Sequence, residues 1–141
     1  MRVVLDTNVL ISGLINPEGA PAQVVSLLLN GRITALFDDR MLREYREVLH
    51  RQKFGFTATV VAPLLEYIRS EGEYVAAEPI SEKRFPDEDD RMFYEVAVTG
   101  NARCVITGNK DHYPREAIIR SPKEFVALYL SENEQPTTET T

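Results

Sequence analysis

The chain of 141 residues has one cysteine, two histidines and no tryptophan, and each scarcity closes off a class of chemistry. Cys104 cannot form an internal disulfide, so this is not a cross-linked secreted scaffold, and a reducing cytoplasm is the expected location. No Cys/His pair has zinc spacing, no G-x-S-x-G elbow presents a serine, and no glycine-rich loop follows the first strand-like run to cradle phosphate. Covalent serine or cysteine catalysis therefore has no support. Long hydrophobic runs are missing too, with nothing near the roughly 18 apolar residues of a membrane span. The apolar start breaks at Asp6, so neither a signal segment nor a membrane partner is expected.

What is present is a globular composition, 43% hydrophobic and 27% charged, enough for one core and too short for two. A net charge of −6 argues against a surface that grips nucleic acid everywhere. That charge is unevenly spread. Acids crowd at Asp87-Glu88-Asp89-Asp90, while Arg40, Arg43, Arg46, Arg51 and Lys53 place five bases within fourteen residues. A local basic face can coexist with an acidic total.

Apolar patterning predicts strands alternating with helices. Val3-Val4-Leu5 is a β-branched-rich run that suits a strand covered on both faces, and it leads straight into Asp6-Thr7-Asn8. Residues 9–15 suit a helical turn, 21–30 a helix with Pro21 in its first turn, and 33–37 a second strand ending at Asp38. A helix over 40–51 follows, then one of about fourteen residues capped by Thr57, and a short edge strand at 74–77. The acidic run opens a helix that stops at Gly100, 104–107 is a buried strand, 117–119 the last strand, and Pro122 starts a final helix to Leu130. With no hairpin signal, the expected fold is α/β, a three-layer α/β/α domain over residues 1–130 with a mainly parallel sheet of four to five strands. Residues 131–141 turn to Glu, Thr, Asn, Gln and Pro, the composition of a disordered tail.

In such a sheet the carboxyl ends of the strands gather on one edge, where Asp6, Asp38 and Asn109 would emerge. On a helical wheel Met41, Leu42, Tyr45, Val48 and Leu49 share one side, and Glu44 falls at its border, either an ordinary surface acid or one that looks along the core toward a site. One or two acids suffice to cap a helix, and a third and fourth mainly repel, a cost that a divalent cation relieves. Asp90 shares the inward face of Phe93 and Ala97, and Asp87 is the natural N-cap one turn earlier. Asp6, Glu44 and Asp90, assisted by Asp87, thus form a candidate metal and catalytic set whose hard oxygens suit Mg²⁺ or Mn²⁺ and metal-assisted phosphodiester hydrolysis. Thr7, Asn8 and Thr107 either support these acids or cap helices, and Asp111 either assists them or is a solvated loop acid. Arg40, Arg43, Arg46 and Lys110 are candidates for holding RNA phosphates, against the plain reading of a solvated charged face. Tyr113 either stacks on a base or packs on the domain, and Cys104 belongs to the core.

Taken in order, VVLDTNVL at 3–10, LREYREVL at 42–49, DEDDRMFYEVA at 87–97 and VITGNKDHYP at 105–114 resemble the successive motifs of PIN-domain nucleases, in particular the toxin-like PIN proteins of prokaryotic toxin-antitoxin systems. The resemblance spans about residues 1–128. It implies a metal-dependent endoribonuclease with motif acids at Asp6, Glu44, Asp87 and Asp90, an antitoxin partner and a homodimer; Leu14 and Ile15 either join such an interface or, as periodicity alone has it, lie in the core. Asn109 stands where many members carry a fourth aspartate, although T-G-N followed by His112 and Pro114 matches a subset of the toxin-like proteins. An amide brings no charge, which leaves open a catalytically weak or inactive PIN-like module that binds RNA or protein. A receiver-type phosphotransfer fold needs paired acids after the first strand and a phosphate-accepting Asp ending a later one, an order absent here.

Overall fold

A computed structural model of the chain describes residues 1–133. Its core is a five-stranded sheet in the order β3-β2-β1-β4-β5, with every neighbouring pair parallel. The strands are β1 (Arg2–Leu5), β2 (Thr34–Phe37), β3 (Glu73–Tyr74), β4 (Cys104–Ile106) and β5 (Ile119–Arg120). Valine, leucine and isoleucine fill the central β1 and β4, where Val3, Val4, Leu5, Val105 and Ile106 are wholly buried, as a strand covered on both faces requires. Each parallel connection must cross over, and α-helices supply the crossovers of all but β4 to β5, which carries only the 3-10 turn Lys110–His112. α1 (Thr7–Ile15) and α2 (Ala20–Leu29) join β1 to β2, α3 (Asp39–Leu49) and α4 (Ala58–Glu71) join β2 to β3, and α5 (Arg91–Thr99) joins β3 to β4. α6 (Pro122–Glu132) follows β5, so the architecture is three-layer α/β/α.

The caps explain where the helices begin. Asp38 accepts from Met41 N at 3.0 Å, Asp87 from Asp89 N at 3.0 Å, and Ser121 and Glu124 form a reciprocal capping box, each satisfying amides the first turn leaves orphaned. Thr57 occupies the N-cap position of α4, but its hydroxyl pairs with Thr59 instead. Gly72 is required by close approach, because a Cβ there would stand 2.4 Å from the Ile68 carbonyl oxygen and 2.6 Å from that of Ala35.

Several expectations shift. The stretch expected to be a helical turn belongs to a nine-residue helix that already begins at Thr7, since Asp6 caps it and Val9 and Leu10 bury against the core. The acidic run forms a 3-10 turn, Glu88–Asp90, before α5 begins at Arg91. The last strand lies at Ile119–Arg120, later than the apolar triplet at 117–119. α6 continues through Ser131 and Glu132 and is capped by Asn133, three residues into the segment expected to be a tail, and 134–141 lie outside the described residues. Among the described residues no helix is long and apolar enough to cross a membrane.

Candidate metal centre

The strand order places β1 beside β4, the pair between which chain direction through the sheet reverses: β2 and β3 lie to one side, β5 to the other. Crossovers leaving such a pair diverge and open a crevice at its carboxyl ends, the common ligand site of open α/β sheets. The residues that follow these two strands are Asp6-Thr7-Asn8 and Thr107-Gly108-Asn109, and they interlock. Asp6 N donates to the Ile106 carbonyl at 3.0 Å, and Thr107 Oγ1 donates to Asp6 Oδ2 at 2.9 Å. Gly108 N donates to Asn8 Oδ1 at 3.0 Å and Asn8 Nδ2 reaches Thr107 Oγ1 at 3.5 Å. Asn109 contributes its backbone, whose N–H donates to Thr107 Oγ1 at 3.0 Å, while its side chain is exposed. Both turns are thus bound to each other before any further acid arrives.

Glu44 arrives on α3. The wheel puts Tyr45 in the core, and there its hydroxyl donates to the Leu5 carbonyl, the residue before Asp6, fixing α3 against the end of β1. Glu44, one position earlier and half-buried, is then met by Thr7, whose Oγ1 donates to Glu44 Oε2 at 3.1 Å. Tyr45 also stacks on Phe93 with ring centroids 6.4 Å apart, which ties the same helix to α5, the helix that Asp90 precedes. Asp87, Asp90 and His112 each offer a ligand atom within 4.8 Å of the others, and His112 Nδ1 lies 3.1 Å from Asp90 Oδ2. Tyr113, buried, donates to Asp6 Oδ2 at 2.8 Å.

Electrostatics mark the same spot. Burial pushes the Asp90 carboxyl up to about 6, with the charges of Asp6 and Asp87 adding to the rise and His112 opposing it. Asp6 is raised by burial against the pull of its hydrogen bonds from Tyr113 and Thr107. Glu44 is raised by burial and by Asp6 against its bond from Thr7. Clustered carboxylates that resist ionisation, beside an imidazole, form a donor set that a divalent cation satisfies, because its charge removes the repulsion. The residues present therefore fit a divalent metal.

Other expected residues fall elsewhere. Asp38 is buried as a cap and is paired with Arg40 at 2.7 Å; Arg40 also holds buried Glu95 at 2.9 Å. Arg43 lines one groove with Glu44, Glu47, Asp89 and Arg91, whereas Arg46 lines another with His50, Glu66 and Arg69. Lys110 pairs with Glu124 at 2.9 Å, pinning its turn to α6, and Asp111 is exposed. Sequence reasoning did not single out Glu95, used His112 only as a motif marker, and left Tyr113 between two other roles. The α5 wheel puts Glu95 opposite Phe93 and Ala97, so periodicity gives no sign of its burial, and the turn carrying His112 and Tyr113 is too short for any periodicity to orient its side chains.

The uncharacterized protein MJ1680 of Methanocaldococcus jannaschii is 32% identical over 123 residues, covering 79% of this chain and 72% of the relative. A family model described as PIN domain matches residues 2–111, a span that takes in β1 and Asp6, α3 with Glu44, the acidic turn and the Thr107–Asn109 motif. The chain belongs to the PIN domain family.

Proposed function

We propose that this PIN domain is a Mg²⁺- or Mn²⁺-dependent endoribonuclease that hydrolyses RNA phosphodiester bonds as the toxin of a toxin-antitoxin pair. The family is one of metal-dependent nucleases, and the observation that carries the reading here is the grouping of Asp87, Asp90 and His112, whose ligand atoms lie within 4.8 Å of one another, beside Asp6, whose charge bears on both Asp90 and Glu44. Asp6, Glu44 and Asp90 would hold the ion with help from Asp87; of these, Asp87 and Asp90 offer ligand atoms within 4.8 Å of each other and of His112. Such an ion, when bound, activates water and stabilises the leaving oxygen. The protein's own contribution is orientation: Thr7 holds Glu44, while Thr107, itself aligned by the Asn109 amide, holds Asp6. Arg43, exposed in the groove it shares with Glu44, is the cation placed to meet a substrate phosphate, since Arg40 is engaged by two acids.

The toxin assignment, the antitoxin partner and the homodimer rest on the resemblance of the four motifs to toxin-like PIN proteins, and the cytoplasmic location on the single cysteine. An apolar groove lined by Leu14, Val25, Leu29, Val60, Pro63, Leu64 and Tyr67, with Ile15 exposed at the end of α1, supports a protein partner. One observation favours a second reading, a weak or inactive binding module: Asn109 brings only its backbone to the site. Purified protein incubated with mixed RNA, with and without Mn²⁺ and EDTA, separates the two. Cleavage that needs Mn²⁺ and disappears in Asp6→Asn and Asp90→Asn, with folding intact, is the expected result; activity retained in either variant sinks the mechanism.

A further inference from the structure

We propose that Tyr113 is a positioning residue for Asp6, whose hydroxyl, together with that of Thr107, commits one carboxylate oxygen to the protein and leaves the other for the cation. The proposal rests on the metal-site reading above. Asp6 has no Lys or Arg partner among the described residues, so its orientation depends on neutral donors. Its Oδ2 accepts from Thr107 Oγ1 at 2.9 Å and from Tyr113 OH at 2.8 Å, both buried contacts. Oδ1 receives only the Asn8 amide at 3.4 Å, a long bond that leaves lone-pair capacity open. The polarity of the arrangement is set by its neighbours. Thr107 Oγ1 already accepts from Asn109 N at 3.0 Å, which directs its own hydrogen to Asp6, and a phenol has one hydrogen to give.

The Tyr113 ring is held as firmly as its hydroxyl. Phe85 packs edge-on against it with centroids 5.9 Å apart, and Arg91 covers Phe85 at 4.7 Å. Two successive residues of one turn thus address two acids, His112 reaching Asp90 and Tyr113 reaching Asp6. A hydroxyl suits this position better than a further carboxylate, because it fixes Asp6 without adding negative charge to a cluster that already repels itself.

Substitution Tyr113→Phe removes one oxygen and keeps the ring packing. Mn²⁺ binding followed by calorimetry should weaken about 10-fold, the scale on which partners of metal ligands act. At a fixed subsaturating Mn²⁺ concentration kcat should fall by a similar factor while the KM for RNA stays unchanged. Tyr94→Phe is the control, since it deletes a hydroxyl that donates to Glu116 at 2.8 Å and should leave Mn²⁺ affinity as in the wild type. Equal Mn²⁺ affinity in Tyr113→Phe and wild type overturns the assignment alone, as does an equal loss in Tyr94→Phe. A wild-type protein that binds no Mn²⁺ overturns the site reading and this inference with it.

Discussion

Asp90 is the residue on which the cost of the acidic cluster falls when no cation is bound, because burial and the charges of Asp6 and Asp87 all oppose its ionisation. The sign of the consequence follows from linkage. Its folded value, about 6, lies above the ordinary 3.8, so its contribution to stability is fully present below about 3.8 and is lost as the pH rises through about 6. Asp6 and Glu44, also raised, act in the same direction. Thermal melts in EDTA should therefore show stability falling between about pH 4 and pH 6 from this group, and Asp90→Asn, at a position half-buried and so partly screened by solvent, should gain about 2 kcal/mol at pH 7.5 and nothing at about pH 3. A variant no more stable than wild type at pH 7.5 refutes this. The buried acids that serve the fold look different: Asp38 and Glu95 share the Arg40 guanidinium, whereas Asp6 and Glu44 are met by neutral donors, hydroxyls and, for Asp6, the Asn8 amide. Sequence could name all of these acids but could not sort them, since what separates them is the charge of a partner brought from 55 residues away in one case and 101 in another.

At the scale of elements, much of the chain was legible. Each strand-to-polar-turn junction was visible as an apolar run broken by Asp6-Thr7-Asn8 or Thr107-Gly108-Asn109, and the wheel of α3 already put Tyr45 inside and Glu44 at the border. What was not legible is that the two polar turns bond to each other, because no local pattern encodes a contact across a parallel crossover. The edge strands were blurred for a related reason: β3 and β5 are two residues each, too short for alternation to register, and pairing with β2 and β4 alone defines them. The basic face of α3 was visible as one patch, yet the structure divides it. Arg40 neutralises two buried acids, and Arg43, among the described residues, makes no ion pair. Arg40→Ala should cost about 2 kcal/mol by stranding Asp38 and Glu95. Arg43→Ala should leave Tm unchanged and weaken RNA binding several-fold. Melting curves and filter binding of both variants test the division, which fails if their effects are alike or reversed.

For the whole molecule, a cation bound at this site would couple to folding without any substrate. The acids converge from β1, α3, the turn before α5 and, through His112 and Tyr113, the turn after β4, so unfolding any of these elements dismantles the set. The unfolded chain keeps the same carboxylates but scatters positions 6 through 112, and with them most of its affinity for a single ion. A cation that binds the folded state alone must stabilise the entire domain by RT ln(1 + [L]/Kd), about 2.7 kcal/mol at 100 times Kd. For a chain of this size that raises Tm by about 8 °C. The net charge of −6 adds a nonspecific background, since any divalent salt screens an acidic protein. Asp6→Asn and Asp90→Asn separate the two contributions: each removes one charge of the six yet should abolish the saturable, Mn²⁺-dependent part of the Tm rise while leaving the gradual screening part in place. A Tm that climbs with Mn²⁺ identically in wild type and both variants would show that the acids repel one another without ever holding an ion.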